Sequence, residues 1–148
     1  MVEFAAVVES EAGDRRAQGS QVTATVDEAA RGAIVLGARL ALRRVVANIV
    51  DNAVKYGRVA DVQTRLVGDM VILIVDDEGP GIPESQRQAM LEPFNRLETS
   101  RNRTTGGAGL GLAVVRSLVE AHGGSVEVAE APRGGARVNV ALPVFRAG

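Results

Sequence analysis

The chain has 148 residues, 46% of them hydrophobic and 24% charged, with a formal net charge of −1. That length fits one domain with a sizeable core, and so even a charge balance gives no global attraction to nucleic acid or anionic lipid, so any anion site is local. The absence of cysteine excludes a disulfide framework, thiolate chemistry and the usual zinc signatures. No apolar run approaches the ~20 residues that span a bilayer, and the opening MVEFAAVVESEAGDRR lacks the basic-then-apolar order of a signal peptide. A soluble, intracellular domain is expected.

Residues 2 to 12 read as a short helix, with Phe4, Val7 and Val8 at helical spacing and Gly13 as its stop, followed by a turn in DRRAQGS. Gln21 to Val26 alternates and is β-branched, the pattern of a strand, with a shorter one at Ala33 to Leu36. The strongest helical pattern runs from Ala38 to Tyr56, where Leu42, Val45, Val46, Ile49, Ala53 and Val54 share a face and Gly57 ends the run. Asp61 to Val67 and Met70 to Val75 flank Gly68-Asp69, which predicts an antiparallel hairpin. Pro83 to Leu91 reads as a short helix opened by proline, and Glu92 to Thr105 as a polar loop without period. Leu110 to Ala121 is the next amphipathic helix, and Ser125 to Ala129 with Ala136 to Leu142 forms a final hairpin. Strands and helices mix without strict alternation, which predicts an α+β sandwich with helices on one face of a mixed sheet.

Within these elements, Asn48, Asn52 and Lys55 fall within about 60° of one another on the helix, at the border of its apolar face. A solvated stripe is the ordinary explanation. Asparagine is a poor helix former, however, that such a stripe seldom favours over Glu, Lys or Arg, and its carboxamide oxygen suits Mg²⁺. The apolar strand Ile72 to Val75 then runs into Asp76-Asp77-Glu78-Gly79-Pro80-Gly81-Ile82-Pro83. A buried carboxylate at a strand end there suits the exocyclic amine of adenine, while a plain Asp-Gly and Pro-Gly turn explains the segment equally well. Further on, Gly107, Gly109 and Gly111 straddle a loop-to-helix junction, where free N–H groups and the helix dipole form a seat for phosphate. Lys55, the sole lysine, lies far from either glycine cluster, which excludes a Walker-type phosphate loop. A Rossmann reading fails too, because the spacing is not G-x-G-x-x-G and no strand precedes the glycines.

Taken together and in order, these segments resemble the ATP-binding catalytic domain of bacterial two-component sensor histidine kinases, within the superfamily that includes gyrase, Hsp90 and MutL. RRVVANIVDNAVKYG resembles the family's N box, DDEGPGIP its first glycine box, LEPFNR its F box and GGAGLGLAVV its second glycine box. The resemblance covers about residues 2 to 145 and implies a single domain over 1–148. The implied fold is a two-layer α/β sandwich of Bergerat type, its mixed, mainly antiparallel sheet covered on one face by helices. It implies that Asn52, helped by Asn48, holds Mg²⁺ on the phosphates, that Lys55 contacts phosphate, and that Tyr56 lies against the base or ribose. Asp77 would read the adenine amine, with Gly79, Gly81 and Ile82 shaping that wall. Phe94 would anchor an ATP lid at about 95–106, whose Arg96, Arg101 or Arg103 reaches the γ-phosphate. Gly107, Gly109, Leu110, Gly111 and Leu112 would wrap the phosphates from the other side. The catalytic assignment falls on Asn48, Lys55 and Arg96.

Departures from the pattern also inform. Leu91 stands where the F box often has a phenylalanine, and Ala108 where the second glycine box often has threonine or serine. In ATP-hydrolysing members the position of Asn48 is usually a glutamate that activates water, and asparagine cannot act as that base, which favours transfer over hydrolysis. No segment resembles the histidine-bearing dimerisation helices, and the sole histidine, His122, is expected to cap a helix C-terminus. The implied activity is therefore that of a protein histidine kinase whose catalytic domain takes ATP and Mg²⁺ and transfers phosphoryl to a histidine on a separate domain. Its implied partners are that dimerisation domain and a response regulator receiver domain, with neither nucleic acid nor direct membrane contact. Its implied location is cytoplasmic, under a parent protein anchored in the inner or plasma membrane. An anti-sigma-type serine protein kinase and a non-catalytic nucleotide-binding module remain the alternatives.

Overall fold

Residues 1–92 and 108–146 are described by a computed structural model, with backbone alone at 108–110. The chain opens with a short strand, β1 (Val2–Glu3), and turns at once into helix α1 (Phe4–Ala17). Strand β2 (Gln21–Val26) and a 3-10 turn at Glu28–Ala30 follow. Strand β3 (Ile34–Val35) then returns to pair antiparallel with β1. Helix α2 (Arg39–Gly57) leads into the hairpin of β4 (Val59–Val67) and β5 (Met70–Asp76). After helices α3 (Glu84–Met90) and α4 (Ala108–Ala121), strands β6 (Ser125–Glu130) and β7 (Ala136–Pro143) close the described chain.

Five strands form one sheet in the order β2-β4-β5-β7-β6. Only the β2–β4 pair is parallel, joined by the crossover through α2, and the other neighbours run antiparallel. The expected α+β sandwich with a mixed, mainly antiparallel sheet is what forms. Its inner face is set by strand alternation: Ala60, Val62, Val71, Leu73, Val75, Val138, Val140 and Leu142 point to the side of Leu42, Val45, Val46, Ile49 and Val50 of α2, and all are buried in one core. Burying a side chain of this size contributes about 1.5–3 kcal/mol. The opposite face carries the alternate residues, including Asp61, Gln63, Asp76, Arg137 and Asn139, only partly covered.

The start of the chain departs from expectation. Residues 2 and 3 are strand, and the helix does not stop at Gly13 but runs through DRR to Ala17. A mid-helix glycine costs about 1 kcal/mol relative to alanine, and bonds across the following turn offset it. Arg15 donates to Glu11 at 2.8 Å and to both oxygens of Asp51 on α2 at 2.9 and 3.1 Å. Arg43 of α2 donates to the other Glu11 oxygen at 2.9 Å, so the buried Glu11 carboxylate is paired on both sides. The turn comes instead at Gly19, which takes φ +96. Helix α4 also starts two residues earlier than expected, at Ala108, which places Gly109 and Gly111 inside its first turn and not in a preceding loop.

Candidate nucleotide site

Helix α2 lies along the inner face with its C-terminal half beside the outgoing end of β5, and this places the polar residues at one mouth of the core. A cavity of about 220 Å³ opens there. Ile49, Asn52, Ala53 and Tyr56 line it from α2, Val75 and Asp77 from the end of β5, and Pro80, Gly81 and Ile82 from the turn beyond. Met90, Leu112, Ala136 and Val138 complete it from α3, α4 and β7. The walls are thus mostly apolar with a few convergent polar groups, the composition of a small-molecule or cofactor site.

Asp77 is the polar group fixed most firmly. Its Oδ1 accepts the Gly79 N–H at 2.9 Å and the Ala136 N–H at 2.9 Å, while its own N–H donates to the Ala136 carbonyl at 3.0 Å. Among the described residues every bond to the carboxylate falls on Oδ1, which leaves Oδ2 to accept from a ligand. Three glycines allow this seat. A Cβ on Gly57 would overlap the Asp77 side chain, one on Gly135 would overlap the Asp77 backbone, and one on Gly79 would lie 2.6 Å from the Tyr56 carbonyl. Gly81 serves differently: it takes φ +78, a conformation that side chains disfavour, and so turns the chain back toward α3. Arg87 of α3 holds this turn by donating from Nε to the Ile82 carbonyl at 2.9 Å.

Behind Asp77, on the open face, Arg137 donates from Nε and Nη2 to the two oxygens of Asp76 at 2.7 and 2.8 Å. That hydrogen bonding holds the guanidinium above its ordinary value, against the opposing effect of burial. It stays charged across any working pH. Asp61, opposite Asp76 in the ladder, accepts from the Thr23 hydroxyl at 3.0 Å.

On α2, Asn48 and Asn52 are half-buried one turn apart, and Asn52 reaches both the cavity and α4, where a Cβ on Gly111 would lie 3.4 Å from its amide nitrogen. Lys55 is exposed one turn further on, with Nζ 5.4 Å from the centre of the Tyr56 ring. The structure therefore brings Asn52, Tyr56, Asp77, Gly81, Ile82 and Leu112 around one cavity. Asn48 and Lys55 stand one turn to either side of Asn52 on α2 and are not among the residues that line the cavity, and Gly79 is seated against the end of α2. Gly109, Leu110 and Gly111 lie in the first turn of α4. Phe94, Arg96, Arg101, Arg103 and Gly107 lie outside the described residues.

Sequence reasoning missed Ala136 and Gly135, whose backbones seat Asp77, and the pair Asp76 and Arg137. No local signal marks them, because their role follows from the β5–β7 register. It also took Gly57 only for a helix stop, whereas the left-handed residue at that end is Arg58, φ 66, and Gly57 makes room for Asp77. His122 does cap α4, with Nδ1 2.7 Å from the Leu118 carbonyl, and its Nε2 also accepts the Ala38 N–H at 3.3 Å.

Residues 37–146 match the family of histidine kinase-, DNA gyrase B- and HSP90-like ATPases. The chain belongs to that family. Among curated proteins it is 43% identical over 106 residues to the sensor protein RstB of Escherichia coli (strain K12), covering 70% of this chain and 24% of that protein. The chain spans about a quarter of the length of the curated relatives it matches. Among solved structures, the ATP binding domain of PrrB from Mycobacterium tuberculosis superposes with a TM-score of 0.77 at 28% identity, over 98% of this chain and 96% of that one. The histidine kinase domain of the E. coli osmosensor EnvZ does so with a TM-score of 0.70 at 32% identity, over 97% and 89%. The fold is that of the histidine kinase ATP-binding domains, and the chain is an ATP-binding domain of that family. Among the described residues no helix is long and apolar enough to cross a membrane.

Proposed function

We propose that residues 1–148 form one domain, the ATP-binding catalytic domain of a two-component sensor histidine kinase, which transfers the γ-phosphoryl group of ATP to a histidine on a separate dimerisation domain. The observation that carries the reading is the Asp77 carboxylate, with Oδ1 held by two backbone N–H groups and Oδ2 left for an amine, in a cavity shared with Asn52. A fixed acceptor there selects adenine, whose 6-amino group donates, over guanine, whose 6-oxo group does not. Gly79, Gly81 and Ile82 shape the wall, and Tyr56 lies against base or ribose.

The other end of the nucleotide falls to Asn48, Asn52 and Lys55, to Gly109, Leu110, Gly111 and Leu112 at the start of α4 together with Gly107, and to Arg96, Arg101 or Arg103 of the expected lid. Among the described residues no cluster of histidine, cysteine or carboxylate is suited to a metal. The carboxamides of Asn48 and Asn52 are instead neutral hard donors, which fit a Mg²⁺ ion that keeps phosphate oxygens and waters as its other ligands. When bound, that ion neutralises phosphate charge. In the transfer itself a histidine ring nitrogen bonds to the γ-phosphorus as the bond to the β-phosphate oxygen breaks and ADP leaves. The chain's residues contribute by positioning and charge. Asn48 offers no carboxylate to activate water, which favours transfer over hydrolysis.

The acceptor domain and a response regulator receiver domain are the partners, and the site faces the cytoplasm beneath a membrane-anchored parent. The curated relatives named as sensor kinases favour this over the anti-sigma-type serine kinase and the passive module. Mixing the domain with a cognate histidine-helix fragment and labelled ATP tests it. Acid-labile label on the fragment is expected; acid-stable label points to serine transfer, and none with intact nucleotide binding points to the passive module.

A further inference from the structure

Asp77 owes its orientation to β7. Its Oδ1 and N–H bond to the two polar groups of the Ala136 backbone, and Gly135 lies hard against its carbonyl. All of this sits one residue beyond the last rung of the β5–β7 ladder, Asp76 opposite Arg137. Strand ends of this kind fray unless something ties them, and the connection from β6 into β7 is a short turn whose tip is exposed: Arg133 reaches Glu78 only at 3.3 Å with 81% of its side chain in solvent. The tie at the last rung is of another kind. The Arg137–Asp76 pair is bidentate, 2.7 and 2.8 Å, with side chains only 28% and 13% exposed. A planar fork on both oxygens fixes direction as well as distance. The two residues stand on the open face of the sheet, outside the cavity lining, so they never touch a nucleotide placed in it.

The geometry points to Arg137, acting through Asp76, as a positioning residue for adenine recognition: the pair locks the final β5–β7 rung and so aims the free oxygen of Asp77 into the cavity. The inference rests on the reading of Asp77 as the acceptor for the adenine amine. Lysine is no substitute, because an ammonium cannot span both carboxylate oxygens in one plane.

The test compares ADP, which carries the 6-amino group, with IDP, which carries an oxo group in its place, by calorimetric titration of the whole chain. The ratio of the two affinities does not depend on how much of a variant is folded, since both ligands draw on the same folded fraction. Arg137→Ala and the isosteric Asp76→Asn are each expected to lower the ADP-over-IDP preference by roughly threefold to tenfold, the scale of a shielded charged cross-strand pair. The exchanged pair, Asp76→Arg with Arg137→Asp, is expected to restore it. An unchanged preference in both single variants, even with lowered thermal stability, assigns the pair a purely structural role and overturns the proposal. A preference lost in the single variants and not recovered in the exchanged pair overturns the role of the pair as a unit. A wild-type chain that binds ADP and IDP alike overturns the reading of Asp77 itself, and the wild-type arm tells that failure from the others.

Discussion

At the Asp77 end of the cavity the polar group is held by backbone, whereas at the Asn52 end the polar groups are side chains projecting from a helix. Asp77 sits at a junction of three segments, with two N–H donors on one oxygen and glycines at 57, 79 and 135 that admit no side chain. Asn48, Asn52 and Lys55 come from successive turns of α2, whose other face is anchored in the core through Val45, Val46, Ile49 and Ala53. The first end is preorganised before any ligand arrives, and reading one edge of one base demands that. The second presents side chains from one helix, which on the proposed function meet a charged, hydrated chain of phosphates with its cation. On the proposed function, specificity and charge handling are separated in this way, and substitutions at the two ends have different expected signatures.

The largest effect is expected at Asp77. Replacing it with asparagine leaves the backbone bonds an acceptor but removes the charge, and a hydrogen bond to a charged group contributes about 1.5–3 kcal/mol. Affinity for a non-hydrolysable ATP analogue should fall by roughly tenfold to a hundredfold, with the preference for adenine largely lost. Unaltered binding in that titration breaks the assignment of the fixed end. Gly57→Ala attacks the same end without touching its chemistry. The added methyl overlaps the Asp77 side chain, and overpacking of this kind costs about 1–3 kcal/mol. Thermal unfolding should shift down and base preference should weaken with it; a variant as stable and as selective as the wild type shows that the junction is slack.

Asn52→Ala probes the other end. It should lower nucleotide affinity by roughly threefold to tenfold, the scale of one or two neutral hydrogen bonds, and flatten the dependence on Mg²⁺ while leaving the ADP-to-IDP ratio as it was. A changed ratio with an unchanged Mg²⁺ response inverts the division of labour.

How much of this the sequence discloses divides along the same line. The Asn52 end was legible because its residues share one helix face, and a spacing of 100° per residue is enough to place them together. Asp77 was legible from the apolar strand that runs into an acid and a glycine turn. Its seat was not, because Ala136, Gly135 and Arg137 meet it only through the pairing of strands some sixty residues apart, and register is set by tertiary packing. The fold followed from periodicity except where short-range rules pointed the wrong way. Gly13 reads as a helix stop by propensity, yet the helix continues under the bonds of Arg15 to Glu11 and Asp51, a partner on another helix that no local window contains.

The smallest expected effect lies outside the cavity lining and sharpens the comparison by connecting the two helices of the Asn52 end. His122 follows α4 and bonds the start of α2: its Nε2 accepts the Ala38 N–H, so the ring proton sits on Nδ1 and is given to the Leu118 carbonyl. Gly37 is bare because a Cβ there would overlap the imidazole. One ring thus satisfies an orphan donor at the start of α2, whose N-cap residue Ala38 has no capping side chain, and an orphan carbonyl of α4. His122→Ala removes both bonds and should lower the unfolding free energy by about 0.5–1.5 kcal/mol, measured by denaturant titration. Because the hydrogen bonds on Asp77 come from β7 and its own turn and not from either helix, the ADP-to-IDP ratio should hold, while any loss in affinity should grow with the number of phosphates from adenosine to ATP. A loss equal for adenosine and ATP means that the two ends of the cavity move together, and the division between a base seat held by backbone and a phosphate seat built of helix side chains then fails.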